Sequence, residues 1–163
     1  MFVNPDPLAL QKILQETRTV AVLGASNSPV RPSYGVYDYL ARFSHYELYP
    51  VNPNITDIDG TPSYPGLADL PVVPDMVDVF RRSDDLPSVL ADTLALSPRP
   101  KCLWLQQGLW DEQLAEQAQA AGLRVVMDRC LKVEHARYLG RMHWLGFNTW
   151  QVTSRRNVPA EWR

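Results

Sequence analysis

The sequence predicts an α/β fold with a doubly wound, five-stranded parallel sheet and helices on both faces. Short apolar segments rich in β-branched residues alternate with helical patterns along the chain, which is the order that βαβ units give. The chain has 163 residues, of which 45% are hydrophobic and 21% are charged. These values are typical of one globular domain that can bury a core.

The first βα unit can be placed from its boundary residues. Asp6 is an N-cap residue followed by proline, which predicts a helix over residues 7–16. Residues 19–23 form a continuous apolar run, typical of a strand buried on both faces. Ser33 is expected to cap the next helix, over residues 34–42.

Further elements follow in alternation. We predict strands over residues 46–51, 76–80, 102–105 and 123–127, and helices over residues 84–96, 111–121 and 131–139. The proline-rich stretch 53–74 is expected to be an irregular connection with one helical turn. Right-handed crossovers give a Rossmann-like sheet, most simply in the order 3-2-1-4-5. Ligands of such sheets bind at the carboxyl ends of the strands, here near the switch point between strands 1 and 4.

The segment Gly24-Ala25-Ser26 directly follows the first strand and predicts a phosphate-binding turn. A glycine there lets the backbone approach an anion, and N–H groups of the loop and of the next helix point at it. Arg31 and Ser33 add a positive charge and a hydroxyl. A bulky residue at position 24 is expected to block the ligand while leaving the fold intact. The alternative is a plain turn that requires one glycine.

The dinucleotide-binding fingerprint is incomplete in this chain. It requires three spaced glycines and an acidic residue near the end of the second strand. Only the first glycine is present, and the second strand ends in Val51-Asn52-Pro53. These differences disfavour a standard NAD enzyme.

Six segments have the order and spacing of a known family. They are Val20–Ser26, Arg31–Tyr34, Tyr49–Pro53, Val77–Arg82, Leu103–Gly108 and Val125–Cys130. Together they resemble the single-domain CoA-binding proteins, relatives of the N-terminal CoA-binding domain of the succinyl-CoA synthetase α subunit. The resemblance spans about residues 7–139. It implies a Rossmann-like fold, coenzyme A or acyl-CoA as ligand, no catalytic residues and no metal.

The resemblance also implies positions for parts of the ligand. Gly24-Ala25-Ser26 corresponds to the cradle of the pyrophosphate, and Asn52 and Pro53 to the wall beside the adenosine. Gln107 and Gly108 lie where the pantetheine arm would leave the pocket.

The third strand is followed by residues that suit the nucleotide end of CoA. The resemblance implies that Phe80 packs on the adenine and that Arg81 reaches a phosphate. Arg31, Arg81 and Arg82 are all candidates for the 3′-phosphate, because guanidinium binds phosphate with two hydrogen bonds.

The two cysteines have different predicted environments. Cys102 lies inside an apolar strand and is expected to be a buried, inert side chain. Cys130 follows the fifth strand at the ligand edge, where a helix N-terminus and Arg129 would lower the pKa of its thiol. Exchange with a CoA disulfide is one reading of Cys130, and a buried capping residue is the other.

Composition excludes several classes of partner. The formal net charge of −2 gives no reason to expect nucleic acid or an acidic membrane surface. There is no signal-peptide pattern at the N-terminus and no apolar run long enough to span a membrane. Two cysteines do not form a disulfide scaffold, so a cytoplasmic location is expected.

We therefore expect residues 1–139 to form a non-enzymatic CoA-binding domain. Residues 140–163 form an aromatic and basic extension, expected to pack on the domain or on a second subunit. A homo-oligomer or a partner protein is consistent with this extension. Two alternatives remain: an oxidoreductase using an NADP-type nucleotide, and a subunit of an acyl-CoA-forming ligase.

Overall fold

The computed structural model describes residues 1–140 and confirms the α/β fold. The strands are β1 (Thr19–Leu23), β2 (Glu47–Val51), β3 (Asp57–Ile58), β4 (Thr61–Pro62), β5 (Met76–Val79), β6 (Cys102–Leu105) and β7 (Arg124–Val126). The α-helices are α1 (Pro7–Glu16), α2 (Pro32–Phe43), α3 (Leu86–Leu94), α4 (Glu112–Ala120) and α5 (Leu131–Tyr138). Apart from Gly140, the predicted C-terminal extension lies outside the described residues.

Helices cover both faces of the five-stranded parallel sheet, as predicted. One apolar cluster joins α1, α2 and α5 to side chains such as Val20 and Val22 on one face of β1. A second cluster joins α3 and α4 to Ala21 and Leu23 on the opposite face. Because successive side chains of a strand point to opposite faces, β1 contributes to both cores. The Asp6 side chain caps α1 by accepting from the Ala9 amide at 2.8 Å.

The order of the sheet is β2-β1-β5-β6-β7, which corrects the predicted place of the third long strand. That strand, β5, pairs with β1 and β6 instead of lying beyond β2 at the edge. The carboxylate of Asp75 fixes this place, because Oδ2 accepts from the amides of Arg18 at 2.9 Å and Thr19 at 3.2 Å. All four side chains of β5 are buried, as a central strand requires. The switch point therefore lies between β1 and β5.

The connection from β2 to β5 is more ordered than predicted. It contains an antiparallel hairpin of β3 and β4 and a short 3₁₀ turn over Leu67–Asp69. The hairpin is tethered to α2, where the hydroxyl of Tyr34 donates to Asp59 at 2.9 Å. This long connection crosses back over β1, which lets β5 take its central position.

The edge of the sheet at β7 is covered by the N-terminal segment. The side chain of Asn4 donates to the carbonyl of Met127 at 2.7 Å and accepts from its amide at 2.8 Å. Phe2 packs edge-on against Trp110 with ring centroids 5.7 Å apart. Covering an edge in this way blocks pairing with other chains. Within residues 1–140, every helix is too short or too polar to cross a bilayer.

Candidate functional site

A groove of about 800 Å³ lies at the carboxyl edge of the sheet, at the switch point between β1 and β5. Its walls come from the loops after β1, β5 and β6, from the N-terminus of α2 and from the residue before α5. Nine predicted site residues line it: Gly24, Ala25, Ser26, Arg31, Ser33, Asn52, Phe80, Arg81 and Gln107. This volume is in the usual range for a small-molecule site. The binding role of these residues stays a prediction.

Two predicted residues, Pro53 and Gly108, do not line the groove. Pro53 lies beyond Asn52 and is exposed. The amide of Gly108 donates to the carboxylate of Asp128 at 2.7 Å, so the chain turns toward β7 at this point. Gly108 has a φ of +95°, the left-handed conformation that a glycine adopts without strain.

Gly24 is required by the packing of the chain itself. Its φ is +82°, and a Cβ atom at this position would come within 2.0 Å of the carbonyl oxygen of Phe80. Its amide donates to Val51 at 2.9 Å, so it continues the ladder with β2 and does not face an anion. The expectation that a bulky residue here leaves the fold intact is therefore wrong.

The free backbone donors of this loop belong to the residues that follow Gly24. Within residues 1–140 the amides of Ala25 and Ser26 have no hydrogen-bond partner. The Ser26 Oγ accepts from the amide of Ser28 at 3.1 Å, which leaves its hydroxyl proton able to donate. These groups can satisfy an anion that rests against the loop.

The N-terminus of α2 opens onto the same groove without a cap. Arg31 is the N-cap residue and makes no side-chain capping bond, while Pro32 is the first helical residue. Ser33 lies inside the helix, so the prediction that it is the cap is wrong. No acidic residue lies in the first turn. The partial positive charge and the unsatisfied amides of this helix end thus favour an anion.

The side-chain amide of Asn52 makes hydrogen bonds to two loops, the loop after β1 and its own loop after β2. Its Nδ2 donates to the carbonyl of Ala25 at 2.7 Å, and its Oδ1 accepts from the amide of Asn54 at 2.9 Å. A carboxylate has no proton to donate to that carbonyl. An aspartate at position 52, of the kind that NAD-binding sheets carry near this point, would therefore lack this hydrogen bond.

Three arginines and one aspartate line the groove, so it carries a net positive charge: Arg31, Arg81, Arg82 and Asp85. The Nε of Arg82 lies 3.7 Å from Asp85 Oδ2 in an exposed ion pair. Arg31 and Arg81 form no salt bridge with any described residue. Two guanidinium groups are thus available to an anionic ligand.

One end of the groove contains Gln106, which the sequence analysis missed, and Cys130, which it placed at the ligand edge without counting it among the binding residues. Gln106, buried, and Cys130, half-buried, line it. The Nε2 of Gln106 donates to Oδ1 of Asp78, a fully buried residue of β5. Burial raises the pKa of Asp78 to about 7. The signal in the sequence was an aspartate between two valines of an apolar strand, which indicates a carboxyl group inside the core.

The two cysteines differ in burial as expected, but the predicted shift in the pKa of Cys130 has the wrong direction. Cys102 is 1% exposed, and burial raises the pKa of its thiol to about 12. Burial also raises the pKa of the Cys130 thiol, so the predicted lowering is wrong. Burial outweighs the amides of Val133 and Lys132, which lower the pKa of the thiol. The guanidinium of Arg129 is buried and donates to the carbonyl of Asp128 at 3.0 Å. In residues 1–140 no three metal-ligating side chains come together.

The chain matches known proteins over most of its length. The sequence profile of a family described as "CoA binding domain" matches residues 18–136. An uncharacterized protein of Bacillus subtilis, YneT, is 36% identical over 133 residues, covering 82% of this chain and 96% of YneT. A solved structure from Thermus thermophilus shares 36% identity at a TM-score of 0.76, over 83% of this chain and 100% of that one. The redesigned protein Prb shares 31% identity at a TM-score of 0.79, over 86% of this chain and 96% of its own.

Proposed function

This chain belongs to the CoA binding domain family, and on that premise we propose that it binds coenzyme A or an acyl-CoA without catalysing a reaction on it. One observation supports this most strongly. Free amides, an uncapped helix N-terminus and two unpaired arginines converge on one groove at the switch point of the sheet. CoA carries three phosphate groups, one more than NAD, so it can engage more of these donors than NAD can.

The diphosphate of CoA would rest against the loop after β1. The amides of Ala25 and Ser26 and the first turn of α2 supply donors that are already in place without a ligand. Asn52 holds the loop in this shape through the Ala25 carbonyl. The phosphate groups therefore meet a preformed site, which lowers the entropic cost of binding.

The remaining parts of CoA find matching surfaces along the groove. The half-buried ring of Phe80 offers an apolar face to the adenine, and Arg81 beside it faces a phosphate. The arm, which carries amides and ends in a thiol, would run toward Gln106 and Gln107. Amide side chains suit this part because they both donate to and accept from the amides of the arm.

The proposal that the protein is not an enzyme rests on the chemistry of the groove. Among the described residues that line it, the titratable ones are the three arginines, Asp85 and Cys130. Asp85 is engaged by Arg82 at 3.7 Å, and burial raises the pKa of Cys130. The Cys130 thiol is therefore not poised as a general base at neutral pH, because such a base needs a pKa near the working pH.

Titration calorimetry with CoA, NADP and NAD tests the proposed ligand. We expect CoA to bind and NAD to show little heat, because the ribose-binding acid of NAD sites is replaced by Asn52. NADP is the informative competitor, because its 2′-phosphate can also meet an arginine. Tighter binding of NADP or NAD than of CoA would contradict the proposal and favour the oxidoreductase alternative.

A single substitution makes this experiment sharper. Asn52→Asp keeps the size of the side chain and removes the donor to the Ala25 carbonyl. We expect CoA affinity to fall because the loop loses its fixed shape, with no gain in NAD binding. Asn54→Asp is the control, because the side chain of Asn54 makes no hydrogen bond with a described residue.

A further inference from the structure

The inner end of the groove brings a thiol within reach of the ligand. Cys130 lines the groove and is half-buried, whereas Cys102 is 1% exposed at the start of β6. The two cysteines lie on the same protein but only one can meet a molecule in the groove. Cys102 therefore serves as an internal control for any reaction of Cys130.

A linked set of polar groups surrounds this end. The Nε2 of Gln106 donates to Asp78, and its Oε1 accepts from the amide of Leu131 at 3.4 Å, next to Cys130. The second oxygen of Asp78, Oδ2, is buried and has no hydrogen-bond partner within residues 1–140. It lies close enough to Cys130 for its charge to affect the thiol. Asp78 itself does not line the groove, and Gln106 joins it to the residues that do.

The position of this end fits the far end of a CoA molecule. The loop that would hold the phosphates follows β1, and Cys130 lies next to Leu131, whose amide donates to Gln106 after β6, two strand spacings away in the order β1-β5-β6. At about 4.8 Å per spacing this is roughly 10 Å along the edge of the sheet. The arm of CoA is long, and its last amide is separated from the thiol by a short methylene spacer. The ligand therefore presents a donor and a sulfur atom together.

We propose that Cys130 is a thiol–disulfide exchange site for the ligand of this groove, so that the protein captures the CoA moiety of a CoA disulfide as a mixed disulfide. This inference rests on the proposed function, because the groove must first hold the CoA moiety.

The exchange is balanced without any further reagent. The Cys130 thiol loses its proton to solvent, and its sulfur attacks one sulfur of the CoA disulfide. The bond between Cys130 and that CoA sulfur forms while the original disulfide bond breaks. The second CoA leaves as a thiolate and takes a proton from solvent. One protein thiol is oxidised to the mixed disulfide, and half of the CoA disulfide is reduced to CoA.

The environment of Cys130 makes the exchange selective. Burial keeps the thiol protonated at neutral pH, so it reacts slowly with disulfides that meet it by chance. A disulfide held in the groove stays beside the sulfur, which raises its effective concentration. Selectivity for CoA disulfide over a disulfide that does not fit the groove is therefore the feature that separates this proposal from simple surface oxidation.

The test follows adduct formation by intact mass with CoA disulfide and with glutathione disulfide at equal concentration. We expect one CoA adduct per chain, lost on reduction, forming at least about 10-fold faster than the glutathione adduct. The rate should saturate with CoA disulfide and should fall when reduced CoA competes for the groove. Cys102→Ser should behave as the wild type, and Cys130→Ser should form no adduct while still binding CoA in calorimetry.

Other results would overturn the proposal. An adduct that persists in Cys130→Ser, or equal rates with the two disulfides, would make the reaction an unspecific oxidation. CoA binding in calorimetry without any adduct would overturn the exchange site alone and leave the proposed function standing. Absence of both binding and adduct would overturn the proposed function as well.

Discussion

Arginines in two regions of the molecule have opposite environments. Arg137, in α5, is 1% exposed, and its Nη1 lies 3.1 Å and 3.4 Å from the two carboxylate oxygens of Glu134. At the groove, Arg31 is exposed and Arg81 is partly exposed, and neither forms a salt bridge with a described residue. One region uses its charges inside the fold, and the other presents them to the outside.

The different burial of these arginines decides which of their charges are available to a ligand. A buried guanidinium must be paired because it cannot lose its proton, and breaking the pair leaves an uncompensated charge. An unpaired guanidinium at the surface costs little and can be bound by a phosphate. Removing a buried partner should therefore affect folding, and removing a groove arginine should affect binding.

The largest effect is expected at the buried pair. Glu134→Ala leaves Arg137 without its partner, and we expect the free energy of unfolding to fall by about 3–5 kcal/mol. Arg81→Ala is the control and should change stability by no more than about 0.5 kcal/mol. Urea denaturation of both variants measures the difference. Equal losses of stability in the two variants would contradict the claim that the buried pair supports folding and the groove arginine does not.

Two glycines allow a similar comparison, because an added Cβ would clash at Gly24 and would meet no atom at Gly35. Gly24→Ala places an alanine in a left-handed backbone conformation, and its Cβ overlaps the carbonyl oxygen of Phe80. We therefore expect the free energy of unfolding to fall by roughly 2–5 kcal/mol. Gly35 lies inside α2 and has no atom within 4 Å of an added Cβ. Gly35→Ala should therefore stabilise the protein by about 0.5–1 kcal/mol. Thermal unfolding measures both changes, and a Gly24→Ala variant as stable as wild type would contradict the close approach of β1 and β5.

The next effect is on binding alone. Arg31→Ala and Arg81→Ala should each weaken CoA binding by about 1.5–3 kcal/mol where the arginine bonds a phosphate. The arginine that meets the 3′-phosphate should also lose any preference for CoA over dephospho-CoA. Arg18→Ala removes an exposed arginine at the opposite edge of the sheet and should leave affinity unchanged. If calorimetry finds wild-type affinity for CoA in both Arg31→Ala and Arg81→Ala, neither arginine binds the ligand.

A separate effect is a pH dependence of stability that comes from Asp78. Burial raises its pKa from 3.8 to about 7. Between these values the folded state holds a proton that the unfolded state has lost, so stability falls as the pH rises from about 4 to about 7. The slope from this group is at most about 1.4 kcal/mol per pH unit.

Asp78→Asn removes this titration and keeps an oxygen that can accept from Gln106. Urea denaturation at pH 5 and pH 8 should show a smaller difference for the variant than for the wild type. The same pH dependence in both proteins would assign it to other groups.

The sequence predicted those features that depend on neighbouring residues. The capping of α1 by Asp6 and the apolar run of β1 required only local patterns, and both were confirmed. The place of β5 depends instead on contacts between distant residues, such as Asp75 with Arg18 and Thr19. No local pattern encodes that pairing, so the order of the sheet required the structure.

In the candidate site, too, the features that depend on neighbouring residues were predicted, and those that depend on contacts between distant residues were not. The loop after β1 and Arg81 after β5 were placed at the carboxyl edge because strand ends can be read from the sequence. The role of Asn52 in holding the Ala25 carbonyl, and the link from Gln106 to Asp78, join different strands through side chains. Such contacts follow only once the strands are packed beside each other.

Backbone amide chemical shifts during a CoA titration test the central claim most directly, because they report where the ligand binds. We predict that the largest shifts fall on Ala25, Ser26 and Ser33, with further shifts at Gln106 and Cys130, while residues around the Glu134–Arg137 pair change little. Shifts confined to residues away from the groove, or no shifts at saturating CoA, would contradict the account.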